Sequence, residues 1–207
     1  MRFIRTRIPD VIICEPIVHG DERGYFVETF REDKWEEFLG FKIKFCQDNE
    51  SKSTYGVLRG LHYQLPPYAQ TKLIRVIQGR ILDVAVDIRR GSPTFGKYVV
   101  IELDDKNKRE LFIPIGFAHG FLVLSKEAIV SYKTDNYYNP KYERGIAFDD
   151  KDLNINWGMD HNKLKLSEKD KKQPKFKEIK DFFDYETNYY KKSFLKELKV
   201  ENISNWC

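Results

Sequence analysis

The chain has 207 residues, of which 41% are hydrophobic and 33% charged, a composition typical of a soluble globular protein and not of a disordered one. Its formal net charge of +4 is not concentrated in a basic motif, so we expect no nucleic-acid partner. No apolar run approaches the roughly 20 residues that cross a bilayer. The first residues do not have the apolar core of a signal peptide, so we expect none. Three widely spaced cysteines favour the reducing cytoplasm without a disulfide framework.

The first quarter of the chain has the pattern of short strands around one helix. Two short strands are expected over residues 3–17, and an aromatic-rich run favours another over 25–30, with Glu28 inside it. A helix is expected over 32–39, where two aromatic residues are spaced to cover one side. A strand is then predicted over 41–46, and the polar segment directly after it is either a loop or a platform of hydrogen-bonding groups.

Residues 56–64 form a strand-like run that carries an arginine and an imidazole between glycines. In a regular strand alternate residues share a face, so Arg59 and His62 would point to opposite faces. A bulge at Gly60 would turn Arg59 to the same side as His62. With the bulge the run suits an anionic ligand, and without it the run is an ordinary strand with a satisfied histidine and a solvated arginine.

The middle of the chain has the pattern of an all-β protein. Residues 72–77 and 80–89 predict a hairpin around Gly79, and the second arm alternates as a strand with one face buried. Further strands are predicted over 98–103, 111–114, 118–124 and 128–134. Short strands separated by turn residues predict a β-sandwich or barrel such as a jelly roll.

The character of the chain changes after Trp157. Residues 162–170 are polar and predict a loop. Residues 176–199 place aromatic and aliphatic side chains mainly three and four apart, with lysines between them, and predict one or two amphipathic helices. Such a helix would pack on its own domain or on a dimer mate, and a membrane-surface role is the alternative. We therefore divide the chain into a domain over 1–172 and a C-terminal amphipathic helical extension over 173–207.

The histidines and cysteines do not have the spacing of a metal site or a nucleophile. His62 is followed two residues later by Gln64, where a β-barrel metal site would have a second histidine, and His119 stands alone. Cys14 and Cys46 lie in apolar surroundings, where an inert thiol is the default. The glycines form no nucleotide-binding loop. We therefore expect neither a catalytic metal nor a bound cofactor.

Acid–base chemistry is left as the best-supported class. The chain offers a base, an acid, electrophilic helpers and anion clamps, namely His62, Tyr132, Lys72 or His119, and Arg59 with Arg23. Taken alone, Tyr132 is an ordinary strand tyrosine with its hydroxyl at the rim of the fold. The residues alone therefore leave the function open.

A set of motifs in fixed order resembles the dTDP-4-dehydrorhamnose 3,5-epimerase family. The matching runs are GDERG at 20–24, QDN at 47–49, VLRGLHYQ at 57–64, SPTFG at 92–96, IPIGFAHGFL at 113–122, YKT at 132–134, YY at 137–138 and LSEKD at 166–170. The resemblance extends over residues 1–172 and implies a mainly β, cupin-like jelly roll. It also implies a homodimer in which an N-terminal strand completes the partner's site.

The resemblance assigns roles to particular residues. It implies that His62 is the general base, that Asp170 orients it, that Tyr132 is the acid on the opposite face and that Lys72 steadies the enolate oxygen. The substrate-binding residues that it implies are Arg23, Phe26, Glu28, Gln47, Asn49, Arg59, His119, Tyr138, Glu143 and Lys169. Among these, Tyr138 would stack on thymine.

The implied reaction inverts C3 and C5 of dTDP-4-dehydro-6-deoxy-D-glucose. Both protons flank the C4 ketone, so removing either one gives an enolate, and neither a metal nor a redox cofactor is required. The chain departs from the family at Glu50, where relatives often carry His, and at Lys169, where several carry Arg. The alternatives are an epimerase of one carbon or of another nucleotide sugar, a cupin-like 3,4-ketoisomerase, and a non-catalytic sugar-nucleotide binding module.

Overall fold

The computed structural model describes residues 1–190, which consist mainly of β-strands with one α-helix. The strands are β1 (Arg2–Arg5), β2 (Ile12–Glu15), β3 (Val18–Asp21), β4 (Gly24–Val27), β5 (Gln47–Thr54), β6 (Leu58–Gln64), β7 (Lys72–Gln78), β8 (Arg80–Asp87), β9 (Arg89–Arg90), β10 (Tyr98–Asp104), β11 (Glu110–Ile113), β12 (Phe117–Val123), β13 (Glu127–Thr134), β14 (Glu143–Gly145) and β15 (Phe183–Asp184). The helix α1 spans Glu32–Leu39, and 3₁₀ turns occupy His161–Lys163, Asp170–Lys172 and Phe176–Glu178.

Two antiparallel sheets pack face to face. One has the order β1-β2-β11-β7-β13-β5 and the other the order β10-β8-β12-β6-β14. Alternate residues of their strands meet in a buried core, to which Ile74 and Val130 contribute from the first sheet and Ile81, Ala85 and Phe121 from the second. Alternation along each strand therefore builds the mainly β fold that the sequence predicts.

The predicted hairpin around Gly79 is wrong. Strands β7 and β8 follow each other in the chain but lie in different sheets, so the turn carries the chain from one sheet to the other. Gly79 adopts a positive φ of 84° and donates its backbone N–H to Asp105 Oδ2 at 2.7 Å. Two alternating strands joined by a glycine turn look the same in sequence whether they pair or separate, which is why the pattern misled.

Strand β8 is covered on both faces, whereas the sequence predicts one buried face. Its inner residues pack between the sheets, and Val84 and Val86 on the outer face join a second cluster with Trp157 and Phe183 from the later chain. The strand therefore carries Asp83 at 0% exposure. The hydrophobic pattern of β8 alone gives no sign that a segment far away in the chain covers its outer face.

The outer face of the six-stranded sheet is covered by α1, whose predicted bounds are confirmed. Trp35 is fully buried and stacks on Phe112 with a centroid distance of 5.2 Å. The helix ends at Gly40, which has a φ of 76° and donates its N–H to Glu36 O. Glu28 lies after the end of β4 instead of within a strand.

Residues 41–46, which the sequence predicts to be a strand, do not form one in the structure. The strand begins at Gln47 and runs to Thr54, antiparallel to β13, so the polar segment that followed the prediction is itself the strand. It is the edge strand of its sheet, where polar side chains are tolerated because only one neighbour is present. Asn49 and Ser51 on this strand line the cavity described below.

The predicted amphipathic helix is wrong over residues 176–190. This segment forms one 3₁₀ turn and then β15, which pairs in parallel with β9. Phe183 and Tyr189 are buried in the outer cluster, because an extended segment spreads its aromatic side chains along the sheet that it covers. The remainder of the predicted helix, 191–199, lies outside the described residues. No helix within residues 1–190 has the length and apolar character to span a membrane.

Candidate active site

A cavity of about 520 Å³ is lined by residues of both sheets and of the segment 165–170. It is lined by eight of the predicted site residues, namely Asn49, Arg59, His62, Lys72, His119, Tyr132, Lys169 and Asp170. A second cavity of about 360 Å³ adjoins it and shares Asn49, His62, Lys72 and Tyr132. The second cavity adds Gln47, Tyr138 and Glu143. The structure therefore brings eleven predicted residues to one place.

The bulge considered at Gly60 is present, and it gives both Arg59 and His62 to the cavity. The pairing of β12 with β6 shifts between His119, which is opposite His62, and Phe121, which is opposite Arg59. Three residues of β6 are therefore matched by two of β12. The shift returns Leu58 and Leu61 to the same buried cluster although they are three residues apart.

We expect Gly60→Ala to unfold the protein or to destabilise it severely. A Cβ at this position would lie 2.5 Å from Gly120 Cα and 2.8 Å from His119 O, and φ is 128°, a conformation that L side chains rarely adopt. We expect a loss of at least about 3 kcal/mol in the free energy of unfolding, measured by denaturant titration. Gly24→Ala is a matched control, since φ is 131° but nothing lies within 4 Å of its Cβ. An equal effect of the two changes would contradict the packing argument.

His62 and Asp170 form a hydrogen-bonded pair at the cavity wall. His62 Nε2 lies 2.6 Å from Asp170 Oδ1, and the carboxylate is 5% exposed. Burial opposes its charge, but the hydrogen bond and charge of His62 hold the pKa of Asp170 below its usual value. Ser167 Oγ accepts the Asp170 backbone N–H at 3.1 Å, which fixes the turn. The pair can orient an imidazole to take up a proton at its other nitrogen.

Tyr132 faces the cavity from the opposite sheet. It lies on β13 of the six-stranded sheet, whereas His62 lies on β6 of the five-stranded sheet, and both line the two cavities. Burial raises the pKa of Tyr132, and Arg59 acts in the opposite direction. A protonated phenol on one wall and an imidazole on the other are suited to proton transfer on two faces of a bound ligand.

A second histidine–aspartate pair lies beside Lys72, and sequence reasoning missed its carboxylate. His119 Nε2 lies 2.6 Å from Asp83 Oδ1, and Asp83 is fully buried. Burial lowers the pKa of His119, although Asp83 opposes the shift. Burial also lowers the pKa of Lys72 to about 8, against the charges of Asp83 and Glu143. The available signal was a carboxylate in the middle of an apolar strand, which the one-face prediction turned outward.

Hydrogen bonds organise the rim of the cavities. Tyr138 Oη donates to Glu143 Oε2 at 2.7 Å, and Lys169 Nζ lies 2.5 Å from Glu143 Oε1. Gln47 Oε1 accepts the backbone N–H of Tyr138 at 3.0 Å, and its amide donates to Asn49 Oδ1 at 2.8 Å. The rim therefore presents amide, phenol and ammonium groups to a polar ligand. Lys169, which departs from the family pattern, is already ion-paired there.

Three predicted site residues lie away from the cavities. Arg23 pairs with Asp21 on the exposed β3–β4 hairpin, and Phe26 on the same hairpin is 65% exposed. Glu28 is half-exposed near Arg31. None of the three lines either cavity of this chain. Their substrate-binding role stays a prediction, and a role at a partner's site is taken up below.

Among residues 1–190 no three or more His, Cys, Asp and Glu side chains are grouped as a metal ion needs. The candidate groups of the cavity are instead an oriented imidazole, a phenol, an ammonium and a guanidinium, held by two antiparallel sheets. Fold and site together define a β-sandwich enzyme that carries out acid–base chemistry on a polar ligand.

Comparison with known proteins identifies which enzymes of this class the chain resembles. The model of the family described as dTDP-4-dehydrorhamnose 3,5-epimerase matches residues 5–178. The dTDP-4-dehydrorhamnose 3,5-epimerase of Shigella flexneri is 57% identical over 183 residues, which is 88% of this chain and 99% of the relative. The chain belongs to the dTDP-4-dehydrorhamnose 3,5-epimerase family.

Solved structures resemble the whole fold. The dTDP-6-deoxy-D-glucose-3,5-epimerase of Legionella pneumophila, solved in complex with dTDP-4-keto-L-rhamnose, has a TM-score of 0.85 and 45% identity, covering 90% of this chain and 99% of that chain. A 3'-monoepimerase of Streptomyces bikiniensis, solved with dTDP as a His-to-Asn, Tyr-to-Phe double mutant, has a TM-score of 0.82 and 27% identity over 95% of this chain and 98% of that chain.

Proposed function

We propose that the protein is an isomerase that converts dTDP-4-dehydro-6-deoxy-D-glucose to dTDP-4-dehydro-L-rhamnose by inverting C3 and C5. The observation that carries the proposal is the placement of His62, held by Asp170, and Tyr132 on opposite walls of one cavity. The relatives from Shigella flexneri and Legionella pneumophila are both named 3,5-epimerases of dTDP sugars, which supports this substrate and the inversion of both carbons. In this reading the fold is a cupin-type jelly roll, the enzyme is cytoplasmic, and residues 1–172 carry the activity.

Each inversion needs a base on one face of the sugar and an acid on the other. His62 removes the proton next to the C4 ketone, and the electron pair moves into an enolate whose oxygen carries the charge. Lys72 stabilises this oxygen by its positive charge. Tyr132 then donates a proton to the carbon from the opposite face. The residues replaced in the Streptomyces bikiniensis variant are 70 positions apart in its chain, as His62 and Tyr132 are here, which supports their joint role.

Product stereochemistry tests this proposal. The purified protein is incubated with dTDP-4-dehydro-6-deoxy-D-glucose, and the product sugar is identified by NMR coupling constants. We expect inversion at both C3 and C5. Inversion at one carbon would favour the alternative of a single-centre epimerase, for which the structural likeness to a 3'-monoepimerase is the specific observation. Binding without turnover would indicate a sugar-nucleotide binding module.

The alkaline side of the pH–rate profile is expected to depend on Lys72. Burial lowers the pKa of Lys72 to about 8, so the ammonium loses its proton as the pH rises through this value. We expect kcat/KM, which reports the ionisation of the free enzyme, to fall above pH about 8 by about tenfold per pH unit. Lys72→Arg keeps its charge at high pH. We expect this variant to be less active overall, and its activity should begin to fall only at a higher pH. An unchanged alkaline fall in Lys72→Arg would rule out Lys72 as its origin.

We also propose that two copies of the chain form a dimer in which the β3–β4 hairpin of one reaches the cavity of the other. Arg23 and Phe26 lie on this hairpin, which pairs only with itself within the described residues and exposes apolar side chains. Strand β5, which carries Gln47 and Asn49, is an open edge of its sheet. Sedimentation equilibrium should give twice the chain mass of 24.6 kDa, and a monomer would contradict the proposal.

A further inference from the structure

Tyr190 lies beyond residue 178, where the match to the family model ends, and its hydroxyl reaches into the domain. The hydroxyl accepts the backbone N–H of Ile115 at 3.1 Å and lies 3.0 Å from Thr71 Oγ1. Its ring packs on Phe41 with a centroid distance of 4.4 Å. Burial raises the pKa of Tyr190, so the hydroxyl keeps its proton. It can therefore donate to Thr71 while accepting from Ile115.

Thr71 passes this contact on to Asp135. Thr71 is fully buried, and its backbone N–H donates to Asp135 Oδ1 at 2.6 Å. Tyr190, Thr71 and Asp135 are therefore linked by two hydrogen bonds, one between the hydroxyls of Tyr190 and Thr71 and one from the Thr71 backbone N–H to the Asp135 carboxylate. Burial raises the pKa of Asp135 to about 6, although the hydrogen bond from the Thr71 backbone opposes the shift.

These hydrogen bonds join the start of β7, which carries Lys72, to the end of β13, which carries Tyr132. Thr71 directly precedes Lys72 at the start of β7, and Asp135 directly follows the last residue of β13. Lys72 is paired with Thr134 across the two strands. A displacement of Thr71 therefore acts one residue away from Lys72. Through Asp135 it also acts three residues away from Tyr132.

We propose that Tyr190 is a positioning residue for the epimerisation, holding the ends of β7 and β13 so that Lys72 and Tyr132 keep their places in the cavity. This role rests on the proposed function. Tyr190 touches neither cavity of the active site and acts through Thr71. The segment after residue 178 thus does more than cover the outer face of the sheet.

Tyr190→Phe removes the hydroxyl and keeps the ring against Phe41. We expect kcat to fall by about tenfold, as for a small displacement of catalytic groups, while KM and the affinity for dTDP stay within twofold of wild type. Tyr189→Phe is the matched control, because the Tyr189 hydroxyl accepts the backbone N–H of Asp184 at 2.8 Å within the outer cluster. We expect Tyr189→Phe to lower the thermal midpoint of unfolding by about as much as Tyr190→Phe does. We expect it to leave kcat within twofold of wild type.

Thr71→Val completes the test and serves if Tyr190→Phe fails to fold. It should also lower kcat at constant KM, and the double variant should lose little more than either single variant, because both changes break one chain of hydrogen bonds. Wild-type kcat in folded Tyr190→Phe, or an equal loss in Tyr189→Phe, would overturn the positioning role alone. Absence of turnover in the wild-type protein would overturn the proposed function and this role with it.

Discussion

Replacing His62 by Ala is expected to lower kcat by about a thousandfold or more, since a positioned general base contributes roughly 10²–10⁴-fold. The variant removes the imidazole that Asp170 orients at 2.6 Å, which is the group assigned to take the proton on that wall of the cavity. It also leaves a carboxylate that is 5% exposed without this hydrogen-bond donor. We therefore expect a lower stability as well, by about 1–3 kcal/mol.

The measurement is turnover of dTDP-4-dehydro-6-deoxy-D-glucose, with dTDP affinity and circular dichroism as controls for folding. His161→Ala is a matched control, because this histidine packs on Phe148 at a centroid distance of 5.4 Å and lines neither cavity. We expect it to keep wild-type kcat within twofold. Near-normal turnover in a folded His62→Ala protein would defeat the assigned role.

Replacing Tyr132 by Phe should separate proton removal from inversion. The ring stays, but the phenolic proton on the β13 wall is lost, so an enolate formed by His62 is reprotonated mainly from the His62 side. We expect product formation to fall by about a thousandfold. In heavy water we expect deuterium to enter the recovered substrate next to the C4 ketone, at C3 or C5 and without inversion, much faster than product appears.

Tyr98→Phe is the control for the loss of a phenolic hydroxyl. Tyr98 lies on β10 and lines neither cavity, and its hydroxyl donates to Asn154 O at 3.1 Å. We expect its turnover to stay within twofold of wild type. If Tyr132→Phe inverted the sugar at the wild-type rate, the acid would have to be another group.

The local parts of this structure could be predicted from sequence because local physics decides them. Helix α1 was predicted with its observed bounds, since an apolar face and a terminal glycine define it. The mainly β class follows from alternation. The bulge at Gly60 was one of two open alternatives in the sequence, and the structure shows it through the shifted pairing of β6 and β12.

The errors concern partners that lie far away in the chain. Whether β7 and β8 pair or separate depends on which strands are available elsewhere, so the hairpin prediction around Gly79 was wrong. Asp83 alternates with apolar residues, and the pattern therefore put it on an exposed face of β8. It lies instead between the two sheets beside His119, while a segment about 70 residues later covers the other face of β8, and the pattern of one strand contains neither partner. The aromatic spacing after Phe176 fits an extended covering segment as well as a helix.

The candidate site shows the same division. His62, Tyr132 and Asp170 are far apart in the chain, and only the resemblance to a family indicated that they would meet; the structure places them at one cavity. Asp83 was missed because burial was misjudged. Arg23 and Phe26 lie on the exposed β3–β4 hairpin and line neither cavity of their own chain, so their predicted role at the site stays a prediction.

In the proposed mechanism, protons leave and enter the sugar through solvent-exchangeable groups on opposite walls of one cavity. This exchange is measured by incubating the wild-type protein with dTDP-4-dehydro-6-deoxy-D-glucose in heavy water and locating deuterium by NMR. We expect dTDP-4-dehydro-L-rhamnose with deuterium at both C3 and C5, since each inverted carbon receives its proton from an exchanged acid. Inverted product that retains the original hydrogen at these carbons would contradict this mechanism.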